Sequence, residues 1–115
     1  MPEMEPLTPT VFHVLLSLTD GEKHGYGIMH EVAVRTSNAL IMGPGTLYGT
    51  LKRMLQAGLV EESGERPDHT MDGQRRRCYR LTRLGRRAAK AEAERLEGLV
   101  RAARAKSLLR HPQRA

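Results

Sequence analysis

The stretch from residue 43 to residue 60 constrains the fold most, because a helix with clear start and stop signals runs directly into a strand. Gly43-Pro44 is typical of a helix start, since proline fits the first helical position, and Gly58 is typical of the left-handed residue that ends a helix. At about 100° per residue, the apolar residues between them share one narrow arc: Leu47, Leu51, Met54 and Leu55. The spacing predicts an amphipathic helix followed by a short strand at residues 59–61.

The opposite arc of this helix is polar and contains two glycines, Gly45 and Gly49. It also carries Thr46, Lys52, Arg53 and Gln56, with Tyr48 at its margin. Each glycine in a helix interior costs about 1 kcal/mol relative to alanine, so the flat face needs a reason beyond folding. A helix without side chains there can approach a DNA groove closely, and Thr46, Lys52 and Arg53 can then reach phosphates or base edges. The alternative is an ordinary helix that tolerates its glycines.

Start and stop signals along the rest of the chain predict the other elements. They are a first helix from Thr8-Pro9 to Asp20-Gly21, a second opened by residues 24–27 and stopped at Ser37-Asn38, a hairpin loop at 64–73, a return strand at 75–81, and a last helix from Thr82 to about Leu109. This order predicts a mainly α fold with a small β-hairpin, a winged helix-turn-helix with a long C-terminal helix. We divide the chain into a flexible arm (1–7), a DNA-binding domain (8–82), a dimerisation helix (83–110) and a tail (111–115).

Charge is distributed unevenly along the chain. Residues 1–74 hold 5 basic and 10 acidic residues, whereas residues 75–115 hold 14 basic and 3 acidic ones. A basic block of this kind points to a polyanion, and Arg75, Arg76 and Arg77 on the return strand are candidates for gripping DNA phosphates or the minor groove. The alternative is a charged edge strand that resists sheet pairing. Tyr26, at the start of the second helix, is a candidate phosphate contact or a half-buried core residue.

The last helix carries an apolar stripe longer than the small domain before it can cover. We therefore expect a homodimer formed through this stripe, and packing onto the helix's own domain is the alternative. The candidate dimerisation residues are Leu84, Ala88, Ala91, Leu96, Leu99 and Ala103. Glu92 and Arg95 lie inside the stripe at i, i+3 spacing, and we expect them to pair along or across the interface.

Composition excludes several classes of protein. A chain of 115 residues fits one domain, one cysteine rules out an internal disulfide framework, and the acidic N-terminus and lack of a long apolar run indicate a cytoplasmic protein without a membrane span. No nucleophile constellation, phosphate loop or close metal-ligand spacing is visible. We expect no enzyme, cofactor or metal. Cys78 is interpreted as a core filler; a redox-sensing thiol, its thiolate favoured by Arg76 and Arg80, is the alternative.

Three segments resemble the PadR family of bacterial transcriptional regulators. They are GPGTLYGTLKRM at 43–54 with AGLV at 57–60, HGYGI at 24–28, and RRRCYRLT at 75–82 followed by Leu84-Gly85. The resemblance covers about residues 10–90 and implies a winged-helix homodimer that acts mostly as a repressor at a partly palindromic operator. The family's recognition motif maps onto Thr46, Tyr48, Lys52 and Arg53, and its wing contacts map onto residues 75–77.

The chain resembles the short members of the family, which dimerise through the last helix and the first. Two departures stand out: Cys78 replaces a common aromatic residue, and the chain has no tryptophan, so drug binding between tryptophans cannot be carried over. A small-molecule effector between the first and last helices stays open. The alternative function is a winged-helix module that binds protein through the same face, without sequence-specific DNA binding.

Overall fold

The computed structural model describes residues 6–67 and 75–110. The elements in chain order are α1 (Pro9–Leu18), β1 (Lys23–His24), α2 (Gly25–Arg35), α3 (Pro44–Gln56), β2 (Val60–Pro67), β3 (Arg75–Leu81) and α4 (Arg83–Ala105). Helices dominate, and the strands form one antiparallel sheet with the order β1-β3-β2. The predicted fold class, a winged helix-turn-helix followed by a long helix, is confirmed.

The helix boundaries follow from capping chemistry that the sequence signals. Thr8 and Thr82 accept hydrogen bonds from the backbone N–H groups of Val11 (3.2 Å) and Gly85 (3.0 Å), so each threonine caps the helix that follows it. Gly58 takes φ +75°, and the N–H of Leu59 donates to the Met54 carbonyl at 2.9 Å, which closes α3 in a Schellman motif. α4 ends at Ala105, four residues before the predicted end.

The sheet differs from the predicted hairpin in two places. The strand β1 was not predicted: His24 pairs with Cys78. His24 also opens α2 as predicted, because its Nδ1 accepts the Gly27 N–H at 3.0 Å as the N-cap. β2 extends to Pro67, so residues 64–67 of the predicted loop are strand, and residues 68–73 lie outside the described residues. A bulge between Glu62 and Gly64, where Gly64 takes φ +112°, breaks the alternation of the strand.

The core lies where α1, α2 and α3 meet the sheet and the first turns of α4. Its members are Val14, Leu15, Leu18, Ile28, Val32, Met42, Leu47, Leu51, Met54, Val60, Tyr79, Ala88 and Ala89. α4 approaches this core closely because Gly85 has no side chain: a Cβ there would overlap the carbonyl oxygen of Leu59. Among the described residues, no helix is both long and apolar enough to cross a membrane.

Cys78 and its neighbour Tyr79 are both buried, so β3 is covered on both faces at this point. The burial of Cys78, which is 3% exposed, agrees with its interpretation as a core filler. Burial and the adjacent Glu22 carboxylate raise the pKa of the Cys78 thiol. This is the opposite of the shift expected from neighbouring arginines, and it disfavours the thiolate that redox sensing needs.

Candidate nucleic-acid interface

The outward face of α3 is open and flat in the middle. A Cβ atom built at Gly45 meets nothing within 4 Å, and one built at Gly49 meets only Arg53 Nη1 at 3.8 Å. Within the part of the chain that the structure describes, no close neighbour therefore requires either glycine. Thr46 and Lys52 are exposed on the same face. The structure brings together all the side chains that the sequence assigned to this helix.

Among the described residues, no carboxylate pairs with the cations of α3. Neither Lys52 nor Arg53 forms an ion pair within residues 6–67 and 75–110, and the Arg53 guanidinium instead donates to the Thr50 hydroxyl at 3.4 Å. Thr50 is itself buried and donates to the Thr46 carbonyl at 2.8 Å. This chain of hydrogen bonds ties the Arg53 side chain to the helix and leaves its charge facing solvent.

The first turn of α2 lies beside α3 and the wing (the β2–β3 hairpin). The Arg76 guanidinium carbon stands 4.7 Å from the centroid of the Tyr26 ring, within the range of a cation–π contact. Tyr26 remains 44% exposed. From the sequence, Tyr26 is a candidate phosphate contact or a half-buried core residue. In the structure its ring connects α2 to the wing and remains partly exposed to solvent.

Tyr48 combines a structural contact with exposure. A Cβ atom at Gly25 would lie 2.5 Å from the Tyr48 hydroxyl and 2.9 Å from the carbon that bears it. The Tyr48 ring therefore lies across the start of α2, in space left by a glycine. Since 41% of Tyr48 is exposed, it can pack α3 against α2 and still face a ligand.

Much of the charge on the described part of the wing is paired. Arg77 lies 3.4 Å from Glu62, and Arg80 lies 2.9 Å from Glu61. Arg66 folds back over the bulge to Glu22 at 3.4 Å. The predicted run of three wing arginines therefore divides: Arg76 stacks on Tyr26, Arg77 shares its charge with a glutamate, and the side chain of Arg75 lies outside what the structure describes.

The predicted dimerisation residues lie in two environments. Ala88 is 3% exposed in the core of its own protomer, so it is removed from the candidate dimer face, and Leu84 is half-buried beside the end of α3. Ala91 is exposed, Leu96 and Ala103 are half-buried, and Leu99 is 55% exposed. The stripe thus changes role along α4: its first turns complete the core, and its later turns leave apolar side chains open.

A cleft of about 360 Å³ lies between α1, the residues before it and α4. It is lined by Leu7, Pro9, Phe12, His13, Leu16, Glu92, Arg95 and Leu96. Glu92 and Arg95 pair along the helix, as one of the two predicted arrangements has it, through contacts of 2.9 and 2.6 Å. Those bonds and the Leu7 backbone hold the pKa of Glu92 below its ordinary value.

Burial and the adjacent Arg35 lower the pKa of His13, another residue that lines this cleft.

Sequence reasoning missed the glutamates that neutralise the wing. Glu61 and Glu62 face Arg80 and Arg77 because of the strand register, and the bulge after Glu62 shifts that register. A sequence signal existed in Gly64, which we assigned to the loop. Gln56, exposed at the end of α3, shares the outward arc and belongs with the candidate contact residues.

Comparisons with known proteins agree with this geometry. The sequence model of the Transcriptional regulator PadR-like family matches residues 14–91. Transcriptional regulator Rv3488 of Mycobacterium tuberculosis is 35% identical over 89 residues, which cover 77% of each chain. The crystal structure of a PadR family transcription regulator from Clostridium difficile R20291 covers 84% of this chain and 96% of its own, with a TM-score of 0.68 and 22% identity.

The structure of Bacillus subtilis PadR in complex with operator DNA is also similar. It covers 91% of this chain but only 49% of the Bacillus chain, with a TM-score of 0.58 and 18% identity. At 18% identity, this similarity is evidence for the fold alone. The match to the family sequence model and the identity to the mycobacterial regulator carry the assignment. The chain belongs to the PadR-like family of transcriptional regulators.

Proposed function

We propose that this chain is a sequence-specific DNA-binding regulator, a homodimeric repressor that binds a partly palindromic operator in the cytoplasm. The outward face of α3 carries the proposal. Gly45 and Gly49 leave its backbone open, and Lys52 and Arg53 have no carboxylate partner among the described residues. The structure of Bacillus subtilis PadR in complex with operator DNA supports DNA as the partner. Thr46, Tyr48 and Gln56 are positioned to contact base edges or phosphates.

The second half of α4 supports the homodimer. Leu99 and Val100 are exposed at 55% and 37%, and the half-buried Ala103 follows one turn later. Burial of such side chains against a second copy removes apolar surface from water at about 25 cal/mol per Å². In a symmetric dimer two copies of α3 would read half-sites about 34–36 Å apart, one turn of the double helix. Substituting Leu99 with aspartate should dissociate the dimer in sedimentation velocity experiments.

The cleft beside α1 supports relief of repression by a small molecule. It has apolar walls, including Phe12 and Leu16, and one ion pair at Glu92 and Arg95. A ligand there would lie next to Leu96, at the edge of the proposed dimer face. Binding would change how the two copies of α4 pack and, with them, the spacing of the recognition helices.

Selection of random duplexes on the purified protein, repeated at two salt concentrations, tests the proposal. Enrichment of an inverted repeat, with affinity that falls steeply as salt rises, is the expected result. Lys52→Ala and Arg53→Ala should each weaken operator binding by about 1–3 kcal/mol. Arg80→Ala, whose charge is already paired with Glu61, is the matched control and should bind within about twofold of the wild type.

Two results would contradict the proposal. Unchanged operator affinity in both α3 variants would show that DNA does not bind to this face. Binding without sequence preference, together with a shallow salt dependence of any protein complex formed through α3, would instead favour the protein-binding module.

A further inference from the structure

The first two turns of α4 carry a row of four cations, here called the basic face: Arg83, Arg86, Arg87 and Lys90. Their spacing of i, i+3, i+4 and i+7 places them within about 100° of arc on one side of the helix. All four are exposed, and in the part of the chain that the structure describes none forms an ion pair. Together they extend about 10 Å along the helix, close to the rise of three base pairs of DNA.

Other arginines of the molecule are treated differently. Arg77 and Arg80 pair with glutamates on β2, and further along α4 itself Arg95 and Arg101 pair with Glu92 and Glu97 at i, i+3 and i, i+4 spacing. The same helix therefore pairs Arg95 and Arg101 with glutamates, whereas none of its first four cations forms an ion pair within residues 6–67 and 75–110. This contrast separates the basic face from a generally basic surface.

The basic face also conflicts with the local rules for helices. α4 has no acidic residue in its first turn, although the helix dipole favours acids there and disfavours Arg83. Arg83 and Arg87, and likewise Arg86 and Lys90, are like-charged pairs at i, i+4, which destabilise a helix. Residues that break local rules without a local gain are expected at functional sites.

The basic face lies at the base of the wing, beside the end of α1 and away from Arg75. α4 starts after Thr82, at the base of the wing, and the seven residues of β3 separate that base from Arg75 by about 20 Å. Arg86 donates to the carbonyl of Thr19 at 3.3 Å, which fixes the basic face beside the C-terminal end of α1. Arg75 and the basic face thus lie at opposite ends of β3.

We propose that the basic face binds the phosphate backbone of a second DNA segment while α3 holds the operator. The partner is identified by charge chemistry. Arginine and lysine suffice for phosphate contacts, and arginine binds phosphate in a bidentate geometry. A protein partner would need apolar or aromatic anchors at the centre of its interface, and the four members of the basic face are all cations.

The proposal rests on the proposed function for one duplex and adds a second. Its test uses Arg83→Gln/Arg87→Gln, which leaves Arg86 and its contact to α1 in place. The matched control is Arg80→Gln/Arg101→Gln, which removes the same charge from two ion-paired positions. Operator duplex is immobilised, loaded with full-length protein, and exposed to a fluorescent 40-base-pair duplex without operator sequence.

We expect wild type and control to capture the second duplex, and the basic-face variant to capture it at least fivefold more weakly. Operator affinity should stay within about twofold in all three proteins. The slope of log affinity for the second duplex against log salt should fall by about 2 in the basic-face variant, one for each cation removed.

Three outcomes would overturn the proposal: wild type captures no second duplex, the basic-face variant captures it as well as wild type, or operator and second duplex are lost together. Release of the second duplex by polyglutamate, with no recapture by excess DNA, would assign the basic face to an acidic protein instead. If the proposed function is wrong, the result differs, because the selection of random duplexes would then yield no operator. Salt-dependent binding of a random duplex would still distinguish the basic-face variant from its control.

Discussion

Replacing Gly49 with alanine should change the stability of the free protein and its affinity for DNA in opposite directions. Gly49 lies in the middle of α3, and a Cβ atom there meets only Arg53 Nη1, at 3.8 Å, which is ordinary van der Waals contact. Alanine therefore introduces no clash and removes most of the penalty of about 0.8–1 kcal/mol that glycine carries in a helix interior. We expect the free energy of unfolding to rise by about 0.5–1 kcal/mol and Tm by about 2–6 °C.

Operator affinity should fall in the same variant. The added methyl group stands on the open face, where the backbone of α3 is proposed to approach the groove, and it would hold Thr46 and Lys52 away from their contacts. We expect Kd to rise about tenfold, equivalent to about 1.4 kcal/mol.

Gly98→Ala is the matched control. Gly98 is likewise a helical glycine, but it lies in α4, where it is exposed and a built Cβ meets nothing within 4 Å. It should raise Tm by a similar amount and leave Kd unchanged. Circular dichroism melts at fixed protein concentration and fluorescence anisotropy at fixed salt measure the two quantities. If Gly49→Ala is more stable and binds the operator as tightly as wild type, the backbone of α3 does not approach the groove closely at this position. If Gly49→Ala is no more stable than wild type, glycine does not destabilise α3 here.

Three further predictions test the fold. Gly85→Ala should lower the free energy of unfolding in urea by about 1–3 kcal/mol, because the new Cβ would overlap the Leu59 carbonyl oxygen, a backbone atom; wild-type stability would show that α4 can shift freely. Since Arg95 holds the pKa of Glu92 below its ordinary value, wild-type Tm should fall as pH drops below about 4.3, and Glu92→Gln should show a shallower fall; parallel curves would contradict this. Native Cys78 should react slowly with a thiol reagent at pH 8, because burial raises its pKa, and fast reaction would contradict its burial.

The helices could be predicted from sequence because their signals are local. Thr8, Thr82 and Gly58 act through hydrogen bonds or backbone angles within a few residues, so the same chemistry that marks them in the sequence operates in the structure. The outward face of α3 was predicted for the same reason, since a 3.6-residue period fixes which side chains share a face.

The features that sequence could not give depend on contacts between distant segments. β1 has two residues, too short for any periodicity, and exists because Lys23 and His24 pair with β3. The pairing of Arg77 with Glu62 needs the strand register and its bulge. Ala88 lies on the same stripe as Leu99, and the apolar period cannot tell which neighbour covers each turn.

The arrangement of charge connects these observations to discrimination between operator and other DNA. At least two wing arginines share their charge with β2 glutamates, so the wing adds less sequence-independent attraction than its number of arginines suggests. Specificity depends on the ratio of operator affinity to affinity for other DNA. Pairing the wing charges lowers the affinity for other DNA and leaves operator affinity to α3, whose cations form no ion pair among the described residues. The cations of the basic face form no ion pair in the same ranges, and their place at the base of the wing lets them bind a second DNA segment while α3 reads the operator.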